Sequence, residues 1–159
     1  MATLEKAIEL AARYHAGQRD KEGLPYITHP LRVLQRVQGE EAQIVAVLHD
    51  TLEDTDLSAD DLRREGFSEA VLQAVEAVTH RPNEPYADYV VRCARLDVAR
   101  RVKLADLEDN SRPDRALLRP DRVAGDLARL HRYLLSYKFL SGALSEEQYR
   151  ALMAAHAGG

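Results

Sequence analysis

The chain has 159 residues, 45% of them hydrophobic and 30% charged. That length suits one domain able to bury a core, and the composition excludes a disordered or low-complexity chain. A formal net charge of −4 gives no support to a nucleic-acid-binding surface, and a single cysteine, Cys93, excludes an intrachain disulfide.

No apolar run approaches the length needed to cross a bilayer, and the N-terminal MATLEKAIELAARYH lacks an uninterrupted signal-type apolar stretch. The expectation is a cytoplasmic protein with neither a membrane nor a nucleic-acid partner. Oligomeric state is not readable from the sequence.

Leu4, Ile8, Ala11 and Ala12 recur at helical spacing and predict an amphipathic helix ending near Gly17. GQRDKEGLPYITHP is a loop, and Pro30 suits the first turn of the next helix, where its missing N–H costs nothing. That helix carries Leu31, Leu34 and Val37 and stops near Gly39. EEAQIVAVLHD is apolar on most sides, the mark of a central helix. Ser58 and Asp61 have capping-box spacing and start a short helix that ends near Gly66. SEAVLQAVEAVTH predicts a helix with Val71, Leu72, Val75 and Val78 inward, and RPNEPY a loop.

Residues 86–109 hold one or two helices, interrupted around Leu96 to Ala99, and Cys93 within them reads as a small core residue. SRPDRALLRPDR is a proline-marked connection. VAGDLARLHRYLLSYKFL predicts a long amphipathic helix that tolerates Gly125, and Ser145 with Gln148 repeats the capping-box spacing before a last helix. No segment alternates with period two, so the expected fold is all-α, a single domain of about seven helices.

The most unusual text is HDTLEDTDLSADD, residues 49–61, with six acidic residues and no basic one. A solvated helix end would look like this. So would a metal site, and the residues that could serve one are His29, His49, Asp50 and Asp106. Imidazole and carboxylate together suit zinc, iron, nickel or manganese, and the lack of cysteine ligands favours manganese or iron over structural zinc. His49 and Asp50 diverge on an ideal helix, but at a helix end both can reach one ion. His29 precedes a proline, which biases it away from helical geometry and suits projection from a loop. Asp106 is an acid on an apolar-flanked helix, in RVKLADLEDN.

His49 and Glu53 share a helix face, as do Asp50 and Asp54. The like-charged pair is mildly unfavourable unless a cation or a substrate network lies between them. Asp106 and Asn110 repeat the spacing. Asp56, Asp60 and Asp61 fit a solvated loop and a helix start. His15, His80, His131 and His156 read as structural or surface residues, with His15 kept open because it ends the first helix beside the GQR loop.

HAGQRDKEGLPYITHP, AVLHDTLEDT and VKLADLEDN, in that order, resemble the HD-domain phosphohydrolases. More narrowly they resemble the hydrolase domain of RelA/SpoT-type enzymes and the small alarmone hydrolases. The resemblance runs from about residue 4 to about residue 140, with a C-terminal helix after it, and implies one HD-type hydrolase domain over residues 1–159. It also implies an all-α HD-domain helical bundle and manganese-dependent removal of the 3′-pyrophosphate of ppGpp and pppGpp, giving GDP or GTP and pyrophosphate. The partner would be a small nucleotide substrate.

Carried over by residue, the resemblance makes His29, His49, Asp50 and Asp106 the ligands of one divalent ion, with manganese expected. It makes Glu53 and Asp54 the pair that positions and activates water. Arg19 and Lys21 would lie at the nucleotide pocket, and Asn110 would contact the nucleoside.

One stretch departs from the family pattern. After VKLAD these enzymes continue with a basic residue, a leucine, an aromatic residue or histidine, and asparagine; here Leu107-Glu108-Asp109-Asn110 follows. The expected result is a more acidic pocket, a handicap for a substrate with several phosphates. Arg112, Arg115 or Arg122 are candidates to offset it, whereas Leu117 and Leu118 bring no charge. The departure motivates one alternative, an HD phosphohydrolase acting on another nucleotide or phosphoester. A second alternative is a non-catalytic helical binding or regulatory protein. Alarmone synthesis is not expected, since the chain leaves no room for a second catalytic domain after the hydrolase-like region.

Overall fold

The computed structural model describes residues 1–115 and 119–157. Leu117 and Leu118, expected to bring no charge to the pocket, lie outside the described residues. Among the described residues the chain is helical, with no strand beyond an isolated bridge between Arg19 and Pro25. The helices are α1 (Leu4–Tyr14), α2 (Thr28–Leu34), α3 (Glu40–Leu48), α4 (Thr51–Asp54) and α5 (Ala59–Arg64). They continue with α6 (Glu69–Val78), α7 (Tyr86–Ala94), α8 (Asp97–Asn110), α9 (Val123–Leu140) and α10 (Glu146–Ala157). No helix among them is long and apolar enough to cross a membrane.

Among the described residues ten segments stand where the sequence predicts about seven. The helix start expected at Pro30 moves back to Thr28, leaving Pro30 within the first turn, and α2 stops at Leu34, short of Gly39. The interruption expected near Leu96 is a full break between α7 and α8. α4 is a single turn, too short to leave a periodic pattern.

α3 is the centre of the molecule. Ile44, Val45, Ala46, Val47 and Leu48 are all buried, and α1, α2, α6 and α8 surround the helix. Burying each of these larger aliphatic side chains contributes about 1.5–3 kcal/mol, which is why a helix apolar on most sides takes the middle position. α8 lies beside α3 and also packs on α2, α6, α7 and α9. This packing brings the last turns of α8 against the C-terminal end of α3.

Local signals fix the helix ends. Thr3 accepts from the Lys6 N–H to start α1, and Gly17, at φ 80°, turns the chain after it. Ser58 and Asp61 form the expected reciprocal capping box. At α10 the Ser145 N–H donates to Gln148 Oε1 at 2.9 Å, and the Gln148 N–H to Ser145 Oγ at 3.1 Å. Cys93 is a core residue, its thiol donating to Ala77 O at 3.2 Å and pushed up to about 11 by burial.

Candidate active site

α3 ends at Leu48, and α4 begins at Thr51. Between them His49 keeps helical torsions (φ −57°, ψ −32°), while Asp50 swings to φ −99°, ψ −4°. The bend lets neighbouring side chains converge, so that His49 Nε2 lies 3.0 Å from Asp50 Oδ2. His29 arrives from α2 and Asp106 from α8. His29 Nε2 is 3.1 Å from Asp106 Oδ1 and 3.6 Å from Asp50 Oδ2, and His49 Nε2 is 3.6 Å from Asp106 Oδ1.

His29 corrects one expectation, because it sits in the first turn of α2 rather than on a loop. The bias against helix before proline is met locally by turn bonds, with the His29 N–H on Tyr26 O and the Thr28 N–H on Pro25 O.

The polarity of both rings is set from behind. His49 Nδ1 is 2.7 Å from Ala46 O, an acceptor only, so the neutral ring carries its proton on Nδ1. Its Nε2 is buried without a hydrogen-bond partner. His29 Nδ1 is 2.8 Å from Asp109 Oδ2, with the same consequence. His29, His49 and Asp50 each offer a ligand atom within 4.8 Å of the others, and Asp106 adds a carboxylate oxygen against both rings. A two-nitrogen, two-oxygen donor set with inward-facing Nε2 atoms fits a divalent ion such as manganese or iron.

Charge within this cluster is mutually balanced. Burial works against it, yet the neighbouring acids hold both imidazoles above their usual value, His49 well above. Burial would likewise raise Asp50 and Asp106. The adjacent rings hold Asp50 down at about 2, and Lys103 with both rings holds Asp106 well below the carboxylate range.

With His49 buried beside them, His29, Asp50 and Asp106 line a cavity of roughly 550 Å³. Glu53 and Asp54 stand in its wall. The His80 N–H donates to Glu53 Oε2 at 3.1 Å. Tyr26 Oη donates to Asp50 Oδ2 at 2.6 Å and lies 3.3 Å from Asp54 Oδ2. The phenol thus occupies the gap between the two like-charged acids. Desolvation at the cavity wall pushes both Glu53 and Asp54 up, and the Asp50 charge adds to it. Behind them, Gln18 links His15 Nδ1 (2.7 Å) to the Asp54 carbonyl (2.8 Å), and the His15 ring lies against Tyr26. His15 is a buried support for this wall.

Arg19, Lys21 and Asn110 also line the cavity. Asp20 Oδ1 accepts the Glu22 and Leu24 N–H groups at 2.9 Å each, which folds the loop that carries Arg19 and Lys21. Desolvation and the nearby Arg129, Arg119 and Arg115 push the Lys21 ammonium down. Asn110 Nδ2 donates to Asp106 Oδ1 at 2.6 Å. Of the three arginines in question, Arg115 faces the cavity and pairs with Asp20 at 3.2 Å. Arg112 pairs with Asp114, and Arg122 with Asp121.

The Leu107-Glu108-Asp109 departure does not acidify the pocket. Leu107 is buried in the core. Glu108 turns to Tyr137 Oη at 3.2 Å and Arg36 at 4.0 Å. Asp109 is buried behind His29 and held by Arg32 Nε at 2.9 Å. None of the three lines the cavity.

Several further residues complete the site. Lys103 is buried with its Nζ 2.8 Å from Asp106 Oδ2 and 4.9 Å from the centre of the Tyr89 ring. A lysine inside VKLAD, three residues from a candidate ligand, was the available signal. Tyr26, Arg129 and Arg132 line the cavity, as does His80, read above as structural or surface; nothing local marks them. His131 and His156 face each other on the exposed side of α9 and α10, Nδ1 to Nδ1 at 3.0 Å.

The HD domain family matches residues 7–112. A GTP pyrophosphokinase of Streptomyces coelicolor is 37% identical over 129 residues, which cover 73% of this chain and 15% of that protein. A guanosine-3′,5′-bis(diphosphate) 3′-pyrophosphohydrolase of Danio rerio is 36% identical over 121 residues, 66% of this chain and 65% of that one. The chain therefore spans only part of the relatives it matches. A solved structure, described as a metazoan ortholog of SpoT that hydrolyses ppGpp, superposes with a TM-score of 0.70. The superposition covers 98% of this chain and 95% of the other at 23% identity, a likeness of fold. With His29, His49, Asp50 and Asp106 all inside the matched stretch, the chain belongs to the HD domain family.

Proposed function

We propose that the protein is a metal-dependent phosphohydrolase that removes the 3′-pyrophosphate of guanosine alarmones, yielding GDP or GTP and pyrophosphate. The observation that carries this reading is the convergence of His29, His49, Asp50 and Asp106, with His29, Asp50 and Asp106 lining a cavity whose wall also holds Glu53 and Asp54. Those four residues would hold one divalent ion, manganese by preference. When bound, such an ion supplies Lewis acidity: it acidifies a water and polarises a phosphoryl oxygen.

The chain's own groups do the rest. Glu53, fixed by the His80 N–H, and Asp54, beside Tyr26, orient the attacking water and accept its proton. Both carboxyls are pushed up, which makes them better acceptors than ordinary acids. Water attacks the phosphorus bonded to the 3′ oxygen, that P–O bond breaks, and the 3′ oxygen regains a proton as pyrophosphate leaves. Arg19, Lys21 and Arg115 offset the substrate's charge, the guanidinium forks matching phosphate oxygens. Asn110 gives its Nδ2 to Asp106 and its amide oxygen accepts from Arg115 Nη2 at 3.5 Å, which places this amide at the cavity wall to contact the nucleoside. We take residues 1–159 as one hydrolase domain, with α10 packed on α7 and α9 as part of it.

The name of the Danio rerio relative supports the substrate. The Streptomyces coelicolor name denotes synthesis, but the shared stretch is 15% of that protein. The reason to prefer another phosphoester, an acidified pocket, weakens because Glu108 and Asp109 point elsewhere. The test is metal analysis of the purified protein, then anion-exchange analysis of products from ppGpp with manganese. GDP and pyrophosphate in equal amounts are expected. Turnover of other nucleotides but not ppGpp would overturn the substrate, and no bound ion with no turnover would overturn the enzyme.

A further inference from the structure

We propose that Asp109 is a positioning residue that orients the candidate metal ligand His29. It occupies the place where the family pattern has an aromatic residue or histidine, so its role belongs to this chain's own sequence. The carboxylate is 0% exposed. Its Oδ2 lies 2.8 Å from His29 Nδ1. Arg32 grips it as a fork, Nε to Oδ1 at 2.9 Å and Nη2 to Oδ2 at 3.1 Å. Arg36 and Arg112 stand 3.4 and 3.6 Å from Oδ1, and Arg115 Nε lies 3.3 Å from Oδ2.

The chemistry follows from the donor inventory. A neutral imidazole carries one ring proton, and which nitrogen holds it depends on the partner of the other. An ionised carboxylate can only accept, so the His29 proton is drawn to Nδ1 and the Nε2 lone pair is left facing Asp50 and Asp106. A carboxylate behind a ligating histidine also fixes the ring plane and raises its basicity. The surrounding guanidinium groups keep the carboxylate ionised in a buried place. Oδ2 takes the His29 ring, while Arg115 adds charge at ion-pair distance and makes its own hydrogen bonds to Asp20 and Asn110. Without Asp109 the ring would populate both tautomers, one of which blocks Nε2 with a proton.

The inference rests on the metal assignment proposed above, and the test separates the two. Protein loaded with zinc, a diamagnetic stand-in, is examined by proton–nitrogen NMR for an exchange-protected His29 Nδ1–H resonance, and manganese affinity is measured by titration. Wild type should show the resonance. Asp109→Leu should lose it and bind manganese about 10–100-fold more weakly, with its helical circular dichroism unchanged. Asp109→Asn, whose amide oxygen can accept the same proton, should keep the resonance and lose less affinity than Asp109→Leu. Manganese affinity of Asp109→Leu within about threefold of wild type, against the expected loss of about 10–100-fold, overturns the role. If Asp109→Leu does not fold, the wild-type spectrum decides, since no His29 ring-proton resonance there overturns the role. A wild type that binds no divalent ion removes the metal assignment and this inference together. An ion-binding wild type with indifferent Asp109 variants removes this inference alone.

Discussion

Lys103→Met should destabilise the protein strongly when metal is absent and much less when manganese is present. The substitution keeps the length of the stem but removes the ammonium that lies 2.8 Å from Asp106 Oδ2, both groups being almost completely buried. Breaking a buried ion pair by deleting one partner costs about 3–5 kcal/mol, because the other charge stays buried. Asp106 keeps its bond from Asn110 and its contacts with His29 and His49, which puts the expected loss near the lower end, about 3 kcal/mol. For a chain of this size that corresponds to a fall in Tm of about 6–12 °C.

An ion held by Asp106 would restore positive charge beside the carboxylate, and without Lys103 it would meet less repulsion. Manganese should therefore raise the stability of the variant more than that of wild type. Urea unfolding followed by circular dichroism, with manganese or with chelator, measures both effects. A loss below about 1 kcal/mol in chelator would refute the buried-pair argument. An equal gap under both conditions would refute the placement of the ion on Asp106.

Asp50→Asn should lose most bound manganese and most turnover while keeping the helical fold; full metal content by elemental analysis would remove Asp50 from the ligand set. Glu53→Gln should keep the ion and lose hydrolysis, since its amide oxygen can still accept the His80 N–H but cannot take a proton from water; pyrophosphate release at the wild-type rate would contradict that role. Asp126 is held below the carboxylate range by hydrogen bonds from the Arg119 side chain and backbone, then by Arg129. Its contribution to stability is therefore present above its unfolded value near pH ~4 and is lost as pH falls toward the folded value. Asp126→Asn should flatten the acid limb of a plot of urea midpoint against pH below about 4; an acid limb as steep as that of wild type would contradict this.

Features written in short stretches were legible in the sequence. The apolar girth of EEAQIVAVL announces a central helix, and Ser58 and Ser145 announce their capping boxes, because each signal lies within one short stretch of chain. The four candidate ligands are nominated by His49-Asp50 opening an acidic run after an apolar segment and by the three blocks that resemble one family. Tyr26, His80 and Asp109 are not, because each is placed by a contact across the chain. Tyr26 meets Asp50 across 24 residues, His80 meets Glu53 across 27, and Asp109 meets His29 across 80. Asp109 in the sequence even points to an acidic burden on the pocket, because a sequence shows an acid's charge but not the arginines that surround it. For His29 the bias of the residue before proline points to a loop, but it describes an average, and turn bonds to Pro25 and Tyr26 outweigh it here.

The placement of His49 and Asp50 at the end of α3 has a consequence beyond their side chains. Aligned peptide dipoles leave roughly half a negative elementary charge at the C-terminal end of a helix. Two of the last carbonyls are taken up locally, Ala46 O by His49 and Leu48 O by the Thr51 hydroxyl. The backbone field persists, in surroundings too dry to screen it well. A cation at this point therefore meets a helix that already prefers positive charge, whatever residue stands at any one ligand position. Part of the site's selectivity for positive charge thus resides in the peptide groups of the most deeply buried helix, which no single side-chain substitution removes.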